Sequence, residues 1–271
     1  MNELQRVELN MLRCFIEICD KYDLTYYMVC GSALGAVKYG GFIPWDDDID
    51  VAMPRQDYNR FLKKAGYLLP EYYFLQNYHT DPLFPFIHSK IRDSRTTFIE
   101  KSVRDLKINH GVYIDVFPLD GYPDNKVESK KLERRIKKLK LRLSSAFPVS
   151  DHQKLLTKLF FMSEKILGVS RRTSKYANEL DRTVSKYNLN KSKLWCNHGN
   201  WQGNLEYAPR AQYGKGIFVE FEGIKVRIPE KYDEYLTQKY GDWRADLPEE
   251  EKQGHHYYEI CDLSRPYTYY C

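Results

Sequence analysis

Four aspartates crowd five positions at Asp46-Asp47-Asp48-Ile49-Asp50, and the chain then turns apolar through Val51-Ala52-Met53. Like charges packed this closely repel, so a fold that keeps them must either solvate them or neutralise them. Side chains on a strand alternate faces, which puts Asp48 and Asp50 on one side with Cα atoms roughly 6.5 to 7 Å apart, while Ile49 and Val51 enter a core on the other. The two carboxylates can converge on one ion. A third acid, Asp115, sits inside the apolar run Val112-Tyr113-Ile114-Asp115-Val116-Phe117 with the same in-out pattern. Hard oxygen ligands of this kind suit Mg²⁺ or Mn²⁺, which keep some waters and complete their shell with substrate phosphates. A lone acidic run is usually a solvated loop; an ordered series of Gly31-Ser32, a short helix, the acid run and a later acid within a second strand points instead to a metal site.

The remaining pattern supplies a scaffold. Leu4, Val7, Met11, Cys14, Phe15 and Ile18 recur at helical spacing and predict an amphipathic helix ending near Lys21. Thr25 to Cys30 reads as a strand, Ala33 to Tyr39 as a short helix, and Asp46 to Met53 as a second strand. Pro54 opens a further helix carrying Tyr58, Phe61 and Leu62. Short strands are expected at Tyr72 to Gln76, Phe86 to Arg92 and Val112 to Phe117. From Asn125 to about Asn190 the pattern turns helical, with a Leu132, Ile136, Leu139, Leu143 stripe, a second helix from Leu155 to Leu167 and a third from Lys175 to Tyr187. A hairpin, Ile217 to Phe221 and Ile224 to Ile228 around Glu222-Gly223, precedes a helix from Pro229 to Tyr240. The expected organisation is an α/β (α+β) core over residues 1–124, a basic helical insertion over 125–190, and a segment over 191–271 that packs back on the core.

Charge is unevenly spread. The net charge is +5, but Lys126 to Arg142 holds nine Lys/Arg and two Glu, a local +7, so the rest of the chain carries a net −2. Two readings fit that segment: a solvated helix packed on its neighbour through the leucine stripe, which is preferred, or a helix lying on an anionic membrane surface. Apolar stretches fall short of the ~20 residues that span a bilayer. The first residues lack the continuous apolar region of a secretory signal, and the expected location is the cytoplasm, at most at the inner face of the membrane. The six cysteines are scattered, without the spacing of a zinc site or a disulfide framework.

Several cations could serve a phosphorylated ligand. Gly31 and Ser32 can offer main-chain and hydroxyl donors to a phosphate at the start of a helix. Arg55, and Lys90 with Arg92 on one side of a strand, are candidates to neutralise a diphosphate, against the plainer reading of exposed edge charges. His255 and His256 can contact phosphate or acceptor, or be merely solvated. Asp46 and Asp47 precede the strand and are either substrate-facing or turn acids.

The run GSALGAVKYGGFIPWDDDIDVAMPRQDYNRFL resembles the signature of the LicD family and its fukutin-type relatives. KIRDSRTTFIE (Lys90 to Glu100), HGVYIDVFPLDGYP (His110 to Pro123) and YGDWRADLPEEEKQGHH (Tyr240 to His256) resemble its later blocks, while the stretch from Asn125 to Asn190 carries little of the likeness. The resemblance implies a nucleotidyltransferase (polymerase-β-like) fold with a mixed sheet. It further implies Mg²⁺-dependent transfer of phosphocholine, or a similar phospho-alcohol, from a CDP-linked donor to a hydroxyl of a cell-surface glycan or its lipid-linked precursor, releasing CMP. By the same likeness Asp48, Asp50 and Asp115 match the metal-binding acids, and Gly31 and Ser32 the phosphate-contacting turn. A choline-bearing donor needs aromatic faces or an acid for its quaternary ammonium, and Trp45 and Trp243 are placed to provide them. The alternatives are an enzyme adding a nucleotide to a small molecule or RNA, and a non-catalytic protein of a polysaccharide system. Nucleic acid is disfavoured by the net negative charge outside the basic segment.

Overall fold

The computed structural model describes residues 1–144, 172–199, 206–254 and 257–271. Among them a seven-stranded mixed sheet forms the centre: β1 (Tyr27–Met28), β2 (Asp50–Pro54), β6 (Val112–Tyr122), β4 (Ser89–Asp93) and β3 (Tyr73–Gln76) run side by side in that order. β7 (Leu194–Cys196) pairs with the far end of β6, and β8 (Tyr207–Pro209) pairs with β7. Only the β2–β6 ladder is parallel; its neighbours are antiparallel. The α+β class expected from the sequence is the class observed.

Alternation along β2 and β6 sorts side chains between two cores. Ile49, Val51, Met53, Ile114 and Val116 join the core on one face. There α1 (Glu3–Lys21) and α3 (Arg55–Leu68) lie, α1 contributing Leu9, Leu12, Phe15 and Ile18. Ala52, Phe117 and Leu119 point the other way, against α2 (Cys30–Lys38) and α7 (Tyr232–Tyr240), which supply Ala33, Tyr235 and Leu236. The hairpin of β9 (Ile217–Phe221) and β10 (Ile224–Ile228) places Phe221, Val226 and Ile228 in the first core. Its turn uses left-handed backbone at Glu222 and Gly223. β11 (Tyr258–Asp262) pairs with β5 (Thr97–Glu100), bringing the C-terminal end of the chain beside its first half. A single helical turn, α6 (Arg210–Tyr213), precedes the hairpin.

Several boundaries differ from the sequence reading. The strand expected over Asp46 to Met53 starts only at Asp50, because that is where the parallel ladder with β6 begins; Asp46 to Asp48 approach it as irregular backbone. The strand expected over Thr25 to Cys30 is reduced to two residues, since Cys30 takes positive φ and opens α2. Gly31 and Ser32 therefore belong to the first turn of that helix. The strand expected from Phe86 begins at Ser89, whereas β6 runs on past Phe117 to Tyr122 because β7 gives its far end a partner.

In the basic region, α4 (Lys126–Leu143) starts at an Asn125 cap whose side chain accepts from the Val127 and Glu128 amides. Its Leu132, Ile136, Leu139 and Leu143 pack against Tyr176, Ala177, Leu180 and Val184 of α5 (Thr173–Val184). The leucine stripe is thus covered by a neighbouring helix, so a membrane contact through it is excluded. The helix expected from Leu155 to Leu167 lies outside the described residues.

Candidate active site

Asp50 and Asp115 are register partners on the parallel β2–β6 ladder. The two strands therefore present their carboxylates side by side on the α2/α7 face of the sheet. Asp48, two residues before the ladder, joins them: carboxylate oxygens of Asp48, Asp50 and Asp115 lie within 4.8 Å of one another. The backbone is pinned around the group. The Asp50 amide donates to Ser32 Oγ (2.8 Å), the Val29 amide to the Asp50 carbonyl (3.1 Å), and the Asp115 amide to the Ile49 carbonyl (2.8 Å). Buried Gln5, at the start of α1, donates through Nε2 to the Asp46 (3.0 Å) and Ile43 (3.3 Å) carbonyls, tying down the acidic loop.

These acids line a cavity of about 700 Å³. Gly31 lies tight against it: a β-carbon there would come within 2.8 Å of an Asp46 carboxylate oxygen and oblige that side chain to shift. Asp46, Asp47 and Asp48 form a second close group of carboxylates; Asp46 faces the cavity, and Asp47 packs against Gly254. Three hard carboxylate donors at this spacing fit one divalent cation of the Mg²⁺ type, which binds through one or two carboxylates and leaves positions for water and phosphate.

Two cationic or titratable groups adjoin the triad. Lys90 is the register partner of Asp115 on β4. Its Nζ stands 3.2 Å from Asp115 Oδ2 and 3.8 Å from Glu100, over the Tyr113 ring at 3.2 Å from the centroid. Burial, followed by the negative field of Glu100, Asp115 and Asp48, pushes the Tyr113 phenol well up, so it remains neutral. His88 also lines the cavity, with Nε2 3.1 Å from Asp115 Oδ1. It escaped the sequence reading, although its spacing of two from Lys90 is the signal that places both on one face. Glu100 and Lys239 are further lining residues without a local motif to mark them. Desolvation alone would lower the Lys239 pKa; the Glu206 carboxylate at 2.7 Å helps raise it above its ordinary value.

The rest of the wall is aromatic. Trp45, Tyr39 and Trp243 line the same cavity, as do Tyr240, Phe86 and Phe117. Tyr39 and Trp45 meet edge to face at 6.3 Å between centroids, and each already carries an ammonium over its ring: Lys38 at 5.8 Å and Lys252 at 5.6 Å.

Two of the expected ligand contacts stand elsewhere. Arg55 makes a forked pair with Asp120 (2.7 and 2.6 Å) and a further bond to Asp181 (2.8 Å). It lies at the opposite end of the β2–β6 ladder, about 16 Å of strand from Asp50, and does not line the cavity. Arg92 is fully buried, donating to Gln76 Oε1 and to the Gly111 carbonyl at 2.7 Å, and does not reach the cavity wall either. In both cases other protein groups already take up the guanidinium. His255 and His256 lie outside the described residues.

Residues 23–162 match the family model described as LicD/FKTN/FKRP, nucleotidyltransferase domain. The chain is 31% identical over 267 residues to the lipopolysaccharide cholinephosphotransferase LicD of Haemophilus influenzae, covering 96% of this chain and 97% of that protein. A shorter match, 35% over 57 residues, links 19% of the chain to 18% of an uncharacterized protein of Rickettsia typhi. Asp48, Asp50 and Asp115 all fall within the residues matched by the family model. The chain belongs to the LicD family.

Proposed function

We propose that this enzyme transfers phosphocholine from a CDP-linked donor to a hydroxyl of a cell-surface glycan, or of its lipid-linked precursor, and releases CMP. The observation that carries this reading is that one cavity holds both halves of what such a donor requires: the Asp48, Asp50 and Asp115 carboxylates, and the aromatic faces of Tyr39, Trp45 and Trp243. A trimethylammonium group has no N–H to donate, so it is recognised by aromatic faces and negative charge. The full-length likeness to a cholinephosphotransferase supports the same donor group.

In the proposed reaction the acceptor oxygen forms a bond to the distal phosphorus, the bond from that phosphorus to the bridging oxygen breaks, and CMP departs with that oxygen. Asp48, Asp50 and Asp115 would hold Mg²⁺ or Mn²⁺, whose charge offsets that of the diphosphate and of the in-line oxygens. Lys90, next to Asp115, adds a positive charge on the phosphate side, and His88 stands beside the Asp115 carboxylate. A carboxylate of the cluster takes the proton of the attacking hydroxyl.

The test is thermal stabilisation by CDP-choline, other CDP-alcohols, nucleoside triphosphates and short RNA, with and without Mg²⁺, alongside Asp50→Asn. A Mg²⁺-dependent shift with CDP-choline that the variant lacks is the expected result. A shift confined to nucleoside triphosphates or RNA would replace this reading with nucleotide addition.

A further inference from the structure

Because the leucine stripe of α4 is used up against α5, the question left by the basic segment is what its outer face meets. At helical spacing the positions directly opposite the buried stripe are Lys130, Lys131, Arg134, Lys137 and Lys138, all exposed. Val127 (62% exposed) and Leu141 (44% exposed) stand at the two ends of this row. The helix's two acids, Glu128 and Glu133, fall on its flanks, and Glu133 is engaged with the Tyr122 hydroxyl. A solvated helix ordinarily intersperses acids with its bases; this face carries five cations, two exposed apolar side chains and no acid. On one flank it continues into a groove of about 510 Å³ between α4 and α5, where Arg135, Lys175, Arg182 and Lys186 surround one acid, Glu179.

We infer that the outer face of α4 is a docking surface for an anionic phospholipid bilayer. Charge complementarity drives the contact, since a negative lipid surface attracts each basic residue brought within a Debye length. Val127 and Leu141 dip into the headgroup boundary, and the groove beside them seats a lipid phosphate. The attachment is peripheral, as no helix of the described residues is long and apolar enough to cross a bilayer. It is also independent of the reaction assigned to the cavity, because none of these residues lines it.

The experiment is flotation of the whole protein with vesicles of pure phosphatidylcholine and with vesicles containing phosphatidylglycerol, over a range of salt. A variant carrying Lys130→Gln, Lys131→Gln, Arg134→Gln and Lys138→Gln is measured beside it, with its thermal midpoint recorded to establish folding. The wild type is expected to float with the anionic vesicles alone and to release as salt rises. The variant, folded as the wild type, should bind on the order of several hundredfold more weakly, at roughly fivefold per charge lost. No flotation with anionic vesicles at low salt, or equal flotation of a folded variant, would overturn the inference. So would displacement of the protein from these vesicles by short RNA at comparable phosphate concentration, which would make the surface a nucleic-acid face.

Discussion

Asp50 and Asp115 face each other in register across the one parallel pair of strands in the sheet, with Asp48 close enough for all three carboxylates to share an ion. Parallel pairing aligns the two strands in the same direction, so the acids meet at one end of the ladder and the Arg55–Asp120 pair is sent to the other. The acid cluster and the buried ion pair thereby fall at opposite ends of the same ladder, and they separate experimentally.

Replacing Asp50 by Asn should abolish transfer, lowering the rate by at least ~10² to 10³ as expected for loss of a group that stabilises charge in the transition state. Folding should be preserved: without cation the variant loses a repulsion, so its thermal midpoint should equal or exceed that of the wild type. Metal titration followed by thermal shift checks both halves, and a variant that keeps a wild-type response to Mg²⁺ would remove Asp50 from the ligand set.

Arg55→Ala should act in the opposite sense. The guanidinium is buried and forked onto Asp120, and its removal leaves a buried carboxylate uncompensated, at a cost of about 3–5 kcal/mol. Denaturant unfolding should report that loss, while KM for the donor stays at its wild-type value in the fraction that remains folded. A raised KM with unchanged stability would put Arg55 back on the ligand.

Trp45→Ala should raise KM for a choline-bearing donor by roughly 10-fold or somewhat more, the range of a desolvated cation–π contact of about 1–2 kcal/mol, with kcat little altered. The same variant should leave KM for a donor with an uncharged alcohol unchanged. Steady-state kinetics with the two donors checks this, and an equal rise for both would assign Trp45 to shape alone.

His198, buried just past the end of β7, should make stability fall in acid. Burial, with Lys140 and Arg55 adding to it, lowers its pKa to about 3 from an ordinary 6.5. Between those values the unfolded chain binds a proton that the folded chain refuses, so stability declines as pH drops below about 6.5, by up to ~1.4 kcal/mol per unit from this residue. Above that range both states hold it neutral and the dependence vanishes. Denaturation from pH 7 down to pH 5, compared with His198→Gln, should show a shallower slope for the variant.

Local pattern carried much of this molecule. Alternation at Asp50 and Asp115 marked two members of the acid cluster because strand periodicity is a property of the backbone, whereas Asp48 joins them from irregular backbone; the hairpin over Ile217 to Ile228 was legible residue by residue because its turn chemistry is local. The amphipathic first helix was marked by spacing alone, and ends at Lys21 as expected. Trp45 and Trp243 stood out by position among many aromatic residues, and both reach the cavity.

Arg55 and Arg92 could not be read in this way, since a guanidinium in a sequence looks the same whether it meets a phosphate or a buried acceptor of the protein itself. What decides between them is Asp120 and Asp181, or Gln76 and Gly111, brought near from distant parts of the chain. His88 and Lys239 likewise gained their places in the cavity from pairing and packing across long separations. Side-chain periodicity and turn chemistry, acting over a few residues, therefore marked from sequence alone the acids that gather at the cavity. Strand order decided which partners those acids, and the arginines and histidine around them, would meet, because register between strands far apart in the chain depends on the packing of the whole sheet.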